Sequence, residues 1–146
     1  MKLRIAWIGK TKAAAVATLT AEYLKRAARY SPCEGTEYSN EAALLRSLDK
    51  GGRTPPFFVA LDSRGKQLSS EELAALLRQH QERGTQEMVF AIGPADGWSP
   101  EALWRAQLKL SMGKMTLPHE LARVVLAEQV YRALTILAGH PYHGGH

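Results

Sequence analysis

Apolar and polar residues follow two different periodicities along this chain. Short runs that are almost entirely apolar, such as residues 57–61, are typical of strands buried on both faces of a parallel sheet. The segments between them carry apolar residues every three to four positions, as amphipathic helices do. This pattern predicts strands at residues 3–8, 34–38, 57–61, 88–92 and 107–112, each followed by a helix. Repeated strand–helix units predict an α/β fold with a parallel sheet, and residues 1–146 form a single predicted domain.

Local signals mark where several of these elements begin and end. Ser69 followed by Glu72 forms a capping box, which predicts the start of a helix that ends at Gly84. The first helix is predicted to run from Lys10 to Tyr30, and the helix before the capping box is predicted to stop at Gly51-Gly52. Residues 62–66 follow the third strand and are predicted to form a turn because of their polar, glycine-containing composition.

The longest helical pattern lies near the C-terminus. Pro118 is expected at its first helical position, with Thr116 or Leu117 as the cap, and Gly139 followed by Pro141 is expected to end it. Its apolar residues cover more than one stripe of the helix surface. The second apolar face is therefore expected either to lie deep in the core or to meet another subunit.

Composition excludes several classes of protein. An apolar content of 45% in 146 residues is enough for a hydrophobic core, and no apolar run approaches the roughly 18 residues of a membrane span. The first residues form a strand pattern and not a signal peptide, so we expect a cytoplasmic protein without membrane association. The single cysteine, Cys33, agrees with a reducing compartment and is not expected to be a nucleophile.

The charge balance favours polyanionic partners. The chain has 19 Lys and Arg residues against 14 Asp and Glu residues, a net charge of +5, and most of the excess lies in the N-terminal half. Such a surface attracts nucleic acid, although many globular domains carry similar charge on a solvated face.

In a parallel α/β sheet, ligands bind at the carboxyl ends of the strands. Three predicted loops at that edge contain glycine, which permits close approach of the backbone to a ligand: residues 61–66, 93–97 and 112–117. The first strand ends in Trp7-Ile-Gly-Lys-Thr-Lys12, which has one glycine where a dinucleotide fingerprint needs three, and no phosphate-binding lysine motif occurs. The sequence therefore indicates a site built from the last three strands, with plain turns as the alternative.

Several segments resemble one known family. They are Leu61-Asp, Gly65-Lys, Phe90-Ala-Ile-Gly93, Leu110-Ser-x-x-x-Met-Thr-Leu-Pro-His119, Arg123-Val-Val-Leu-x-Glu128-Gln-Val-Tyr-Arg-Ala133 and His140-Pro-Tyr-His143. Together they resemble the RlmH type of SPOUT methyltransferase, over nearly the whole chain and most densely from Phe57 to His143. That family methylates the ring N3 of a pseudouridine in the 23S rRNA of assembled ribosomes.

The resemblance implies a fold, an assembly and a cofactor. It implies a homodimer in which the C-terminal segment of each chain forms a trefoil knot and the knot loops bind S-adenosyl-L-methionine. The positions that correspond to cofactor contacts are Leu61, Gly93, Met112, Gly113, Lys114, Met115, Thr116 and Leu117. Small and apolar residues suit an adenine ring, which backbone amides and apolar walls can hold. The second apolar face of the last helix would then belong to the dimer.

The same resemblance assigns catalysis to the C-terminal tail, where Tyr142 and His143 would reach the target base. Methyl transfer depends mainly on alignment, and a base need only remove a weakly acidic imide proton. His143 is the candidate for that base, with His119 second. For His119 a hydrogen bond that fixes a loop is the favoured role. Helical spacing could pair Arg123 with Glu120, and it favours a pair between Arg132 and Glu128.

Two departures from the family pattern define an alternative function. Pro94 stands where the family commonly has a second glycine, and Gly144-Gly-His146 stands where a basic residue usually follows the tail histidine. The alternative is a non-catalytic dimeric protein that binds RNA or ribosomes and retains the fold. The histidines at 140, 143 and 146 lack an accompanying carboxylate or cysteine, so no metal site is predicted.

Overall fold

The computed structural model describes residues 1–50 and 54–144, apart from the side chain of His143. Strands and helices alternate along the chain. The strands are β1 (Lys2–Ile8), β2 (Cys33–Tyr38), β3 (Phe57–Gln67), β4 (Glu87–Ile92) and β5 (Leu108–Ser111). The helices are α1 (Ala14–Ala27), α2 (Glu41–Leu48), α3 (Ser70–Arg83), α4 (Pro100–Arg105) and α5 (His119–Ala138), and a short 3-10 helix covers Pro141–Gly144.

The strands form one sheet in the order β2-β1-β4-β3-β5, and every neighbouring pair is parallel. The predicted α/β fold with a parallel sheet is confirmed. Because all strands point the same way, their carboxyl ends lie along one edge, which we call the carboxyl edge. The loops that follow β1, β4 and β5 therefore lie near one another.

The capping box of α3 and the glycine ends of α3 and α5 are confirmed. The Ser69 hydroxyl accepts a hydrogen bond from the Glu72 backbone N–H at 3.0 Å, and the Glu72 carboxylate accepts one from the Ser69 N–H at 2.8 Å. Gly84 ends α3 with a φ of +83°, and Gly139 ends α5 with a φ of +72°. The predicted stop at Gly51-Gly52 lies outside the described residues.

Three predicted boundaries are wrong, two of them because of contacts between residues far apart in the sequence. Residues 62–66 are part of β3, whose register against β5 shifts between Leu61 and Lys66. Gly65 makes this possible, because a Cβ there would lie 2.6 Å from the Lys109 backbone. Pro118 has a non-helical ψ of 144° and is the N-cap residue, so α5 begins at His119. The first helix begins at Ala14 and not near residue 10, because the Glu120 carboxylate accepts hydrogen bonds from the Lys12 and Ala13 backbone.

The core has two halves, one on each face of the sheet. On one face α1, α3 and α5 cover the sheet, and on the other face α2 and α4 do. Helix α5 packs between α1 and α3 and also contacts β1 and β4. Burial on several sides explains why its apolar residues exceed a single stripe, while Leu121 near its start remains 44% exposed. No helix in the described ranges is long and apolar enough to cross a bilayer.

Candidate active site

A cavity of about 310 Å³ opens at the carboxyl edge of the sheet. It lies among the break in β3, the loop after β4 and the loop between β5 and α5. Of the residues predicted from the resemblance to contact a cofactor, the cavity brings together all but one: Leu61, Gly93, Met112, Gly113, Met115, Thr116 and Leu117. Lys114 belongs to the same loop but is not a lining residue, and it is exposed.

Trp98 is a wall of this cavity that was not identified from the sequence. Its indole N–H donates a hydrogen bond of 2.9 Å to the Leu61 carbonyl, which ties the loop after β4 to β3. The indole also lies against Gly93, where an added Cβ would be 2.6 Å from the Trp98 ring. Gly93 is therefore required for space and not for an unusual backbone angle. The only sequence signal was an aromatic residue directly before the α4 cap, Ser99.

His119 lies at the start of α5 and lines the cavity. The Arg123 guanidinium contacts its Nδ1 at 3.0 Å, and its Nε2 contacts the Gly93 carbonyl oxygen. A guanidinium can only donate, so Nδ1 accepts, and Nε2 carries the proton that it donates to Gly93. His119 is therefore held as one neutral tautomer that fixes the Gly93 loop. This is the loop-fixing role that the sequence analysis favoured.

Arg123 is 1% exposed and anchors two parts of the site. Besides His119, its guanidinium donates to the Ile8 carbonyl at 3.3 Å, to the Gly9 carbonyl at 3.2 Å and to the Thr11 hydroxyl. Burial lowers the pKa of this guanidinium, and Glu120 partly offsets that effect. The possible direct pair of Arg123 with Glu120 is replaced by these contacts, because the Glu120 carboxylate bonds to the loop after β1.

The cavity is mainly apolar, with one carboxylate at its wall. Asp62 accepts hydrogen bonds from the Arg64 backbone at 3.0 Å and from the Arg64 side chain at 3.2 Å. The backbone hydrogen bond from Arg64, followed by that residue's side chain and charge, lowers the pKa of Asp62 despite its partial burial. The site thus offers an anionic acceptor beside apolar walls, an arrangement suited to a ligand with polar hydroxyls or amines and a flat apolar ring.

The C-terminal tail docks on α5 away from this cavity. The Tyr142 hydroxyl donates a 2.7 Å hydrogen bond to Glu128, and Arg132 lies over the Tyr142 ring while also pairing with Glu128 at 2.6 Å. The predicted pair of Arg132 with Glu128 is confirmed. Burial and the Glu128 contact raise the pKa of Tyr142, so this phenol is a donor at neutral pH.

The structure does not bring Tyr142 to the cavity of its own chain. Glu128 follows His119 by nine positions, about 14 Å along an α-helix. The side chain of His143 lies outside what the structure describes. Among the described residues, no three His, Cys, Asp or Glu side chains are grouped as metal ligands would be.

Comparisons with known proteins agree on one family. A family model described as "Predicted SPOUT methyltransferase" matches residues 1–143. A protein of Koribacter versatilis (strain Ellin345), named Ribosomal RNA large subunit methyltransferase H, is 62% identical over 146 residues, which is 100% of each chain. A protein of the same name from Geobacter sp. (strain M21) is 40% identical over 98% of this chain and 99% of its own.

A solved structure supports the fold. It is described as a probable methylase family protein from Haemophilus influenzae Rd KW20, and it matches with a TM-score of 0.59 at 13% identity. The match covers 94% of this chain and 66% of that one, and at this identity it concerns the fold alone. The family model and the full-length relatives show that this chain belongs to the SPOUT methyltransferase family.

Proposed function

We propose that this protein transfers a methyl group from S-adenosylmethionine to large-subunit ribosomal RNA, at the ring N3 of a pseudouridine in the 23S rRNA of assembled ribosomes. One observation carries the proposal: the break in β3, the loop after β4 and the loop between β5 and α5 converge on one cavity at the carboxyl edge of the sheet. The names of the 62% and 40% identical relatives support the choice of large-subunit rRNA as substrate.

The residues of the cavity fit the proposed cofactor. Leu61, Leu117 and Met112 supply apolar walls, and Gly113 lets a ligand come close to the backbone. These are the properties that adenine needs, since its edge can bond to backbone groups while its faces avoid water. Asp62 adds an acceptor for polar groups. When bound, S-adenosylmethionine supplies a sulfonium methyl group as the electrophile.

In this proposal the protein aligns the reactants and removes one proton. His143 accepts the proton of the ring N3, which leaves the nitrogen lone pair free to attack in line. Tyr142, the neighbouring residue, orients the tail through its bond to Glu128. His119 and Trp98 hold the loops of the cavity in place, as their bonds to Gly93 and Leu61 support.

In this proposal the protein is a homodimer in which the C-terminal segment of each chain forms a trefoil knot. Tyr142 docks midway along its own α5, so a tail that acts in catalysis would serve the cavity of a partner subunit. Two apolar side chains are exposed in the single chain, Met115 at 86% and Leu121 at 44%. Their exposure supports the proposal that a partner subunit covers this part of the surface. In the dimer, the C-terminal tail of the partner subunit would contact the opening of the cavity, which Met115 borders.

Calorimetry with purified protein tests the cofactor site. The wild-type chain is expected to bind S-adenosylmethionine and S-adenosylhomocysteine. Met115→Ala should weaken binding by about tenfold, because it removes apolar contacts worth on the order of 1–2 kcal/mol. Lys114→Ala is the matched control on the adjacent residue and should change the dissociation constant less than twofold, since that side chain does not line the cavity. Absence of binding by wild type would instead favour the non-catalytic RNA-binding alternative.

The role of His143 is tested by methyl transfer to ribosomes from a strain that lacks this protein. His143→Ala is expected to reduce the rate about 100-fold or more, as loss of a general base does. Binding of S-adenosylhomocysteine should stay at the wild-type level, because the tail is not part of the cavity that holds it. Equal incorporation by variant and wild type would rule out the proposed role.

A further inference from the structure

The loop between β1 and α1, residues 9–13, is held unusually firmly for an exposed segment. Both the Lys12 and the Ala13 backbone N–H groups donate to the Glu120 carboxylate at 3.0 Å. The Arg123 guanidinium bonds to the Gly9 carbonyl and to the Thr11 hydroxyl. Two side chains of α5, more than 100 positions away, thus fix this loop. We call it the β1 loop.

This anchoring reduces the stability of the fold. Arg123 is buried with mostly neutral oxygen atoms as partners, and its Nε has no hydrogen-bond partner in the described part of the chain. A buried charge that forms no direct ion pair and an unpaired buried N–H both reduce stability. An apolar side chain would fill the same space at lower cost. The arrangement is therefore better explained by the position it gives to the β1 loop than by stability.

The position of the β1 loop places two cations, Lys10 and Lys12, beside the cavity. The β1 loop follows β1 at the carboxyl edge, next to the loop after β4 that contains Gly93. Arg123 links the two directly, since it bonds to Thr11 and also to His119, which lines the cavity. Lys10 and Lys12 are both exposed on this loop. Among the described side chains, neither forms an ion pair.

Two other charged side chains near the cavity are already committed to protein contacts, whereas Lys114, in the loop between β5 and α5, is exposed and forms no ion pair among the described side chains. Arg64 bonds to Asp62, and the Glu120 carboxylate faces Arg123 and the amides of the β1 loop. The Lys12 and Ala13 amides are occupied by Glu120, so they do not bind an anion from solvent. The charge of Lys12 acts on Glu120 without forming an ion pair, and the ammonium groups of Lys10 and Lys12 are both exposed to an anion that approaches the cavity from solvent.

We propose that Lys10 and Lys12 bind backbone phosphates of the rRNA strand that presents the target nucleotide to the cavity. The inference rests on the proposed function, because it takes ribosomal RNA to be the substrate. Lysine ammonium groups bind phosphates as point charges and do so without reading the base sequence. A fixed backbone keeps the two charges in register with the cavity, so the contact positions the strand as well as attracting it.

The experiment compares double variants in ribosome binding and in methyl transfer. Lys10→Glu with Lys12→Glu reverses both charges, and Lys10→Arg with Lys12→Arg retains them. The matched control is Arg46→Glu with Lys50→Glu, which makes the same change in net charge near the C-terminal end of α2, on exposed residues at the opposite edge of the sheet. Each protein is tested for co-sedimentation with ribosomes from a strain lacking it and for the KM for those ribosomes.

The Glu variant is expected to weaken ribosome binding and raise the ribosome KM at least tenfold, with kcat and S-adenosylhomocysteine binding changed less than twofold. A plot of the logarithm of the binding constant against the logarithm of the salt concentration should become less steep, by about 0.7 to 0.9 in slope for each phosphate contact removed. The Arg variant and the control should match wild type. Wild-type kinetics in the Glu variant, equal losses in the control, or loss of S-adenosylhomocysteine binding would each overturn the inference. Failure of the wild type itself to methylate ribosomes would instead refute the proposed function.

Discussion

Gly93→Ala is expected to weaken S-adenosylhomocysteine binding more than about 30-fold, or about 2 kcal/mol, and to reduce the free energy of unfolding by about 2 kcal/mol. The added methyl group would lie 2.6 Å from the Trp98 indole, closer than two unbonded carbon atoms approach. Either the indole moves and loses its bond to Leu61, or the backbone shifts and disturbs the carbonyl that His119 holds. Calorimetry and chemical denaturation measure the two effects.

A double-mutant cycle with Trp98→Ala separates this clash from other effects. Trp98→Ala removes the ring that the new methyl group would meet. In that background Gly93→Ala should change the free energy of unfolding by less than about 0.5 kcal/mol, because the two residues are directly coupled. If Gly93→Ala destabilised both backgrounds equally, the close packing of Gly93 against Trp98 would not be the cause.

Arg123→Ala is expected to be the most destabilising single change in α5, with a loss of about 3 kcal/mol or more in the free energy of unfolding. It leaves a cavity and removes the donors for Ile8, Gly9 and His119. His119 then loses the contact that selects its tautomer, so methyl transfer should fall together with stability. Denaturant titration gives the first quantity, and the ribosome methylation assay gives the second.

Arg132→Ala is the control for Arg123→Ala, on the same helix. Arg132 pairs with Glu128 at 2.6 Å, but both side chains are partly solvated, and such pairs contribute about 1 kcal/mol or less. Its removal should therefore have a much smaller effect on unfolding. A larger effect at Arg132 than at Arg123 would contradict the account of Arg123 as the anchor between α5 and the β1 loop.

The sequence predicted those parts of the fold that depend on local interactions. The Ser69 capping box and the glycine ends of α3 and α5 involve residues within one turn of each other. The residues that indicate these features are therefore close together in the sequence. Two of the wrong boundaries depend on distant residues. β3 continues because Gly65 packs against Lys109, and α1 starts late because Glu120 takes the amides of Lys12 and Ala13.

Some features of the candidate site could also be predicted from the sequence, and others could not. Its loops could be located from the rule that ligands bind at the carboxyl ends of parallel strands, and the resemblance named the residues in them. Trp98 and the chain of contacts from Arg123 through His119 to Gly93 became visible only in three dimensions. No residue pattern indicates that an arginine on the last helix bonds to carbonyls at the end of the first strand.

The most direct test of the central claim is methyl transfer from tritiated S-adenosylmethionine to ribosomes purified from a strain that lacks this protein, followed by mapping of the label in the RNA. The account predicts label in large-subunit rRNA, at the N3 position of a single pseudouridine, and none in ribosomes that already carry the modification. Label in small-subunit RNA or at another kind of nucleotide, or no label from protein that binds S-adenosylhomocysteine, would contradict it.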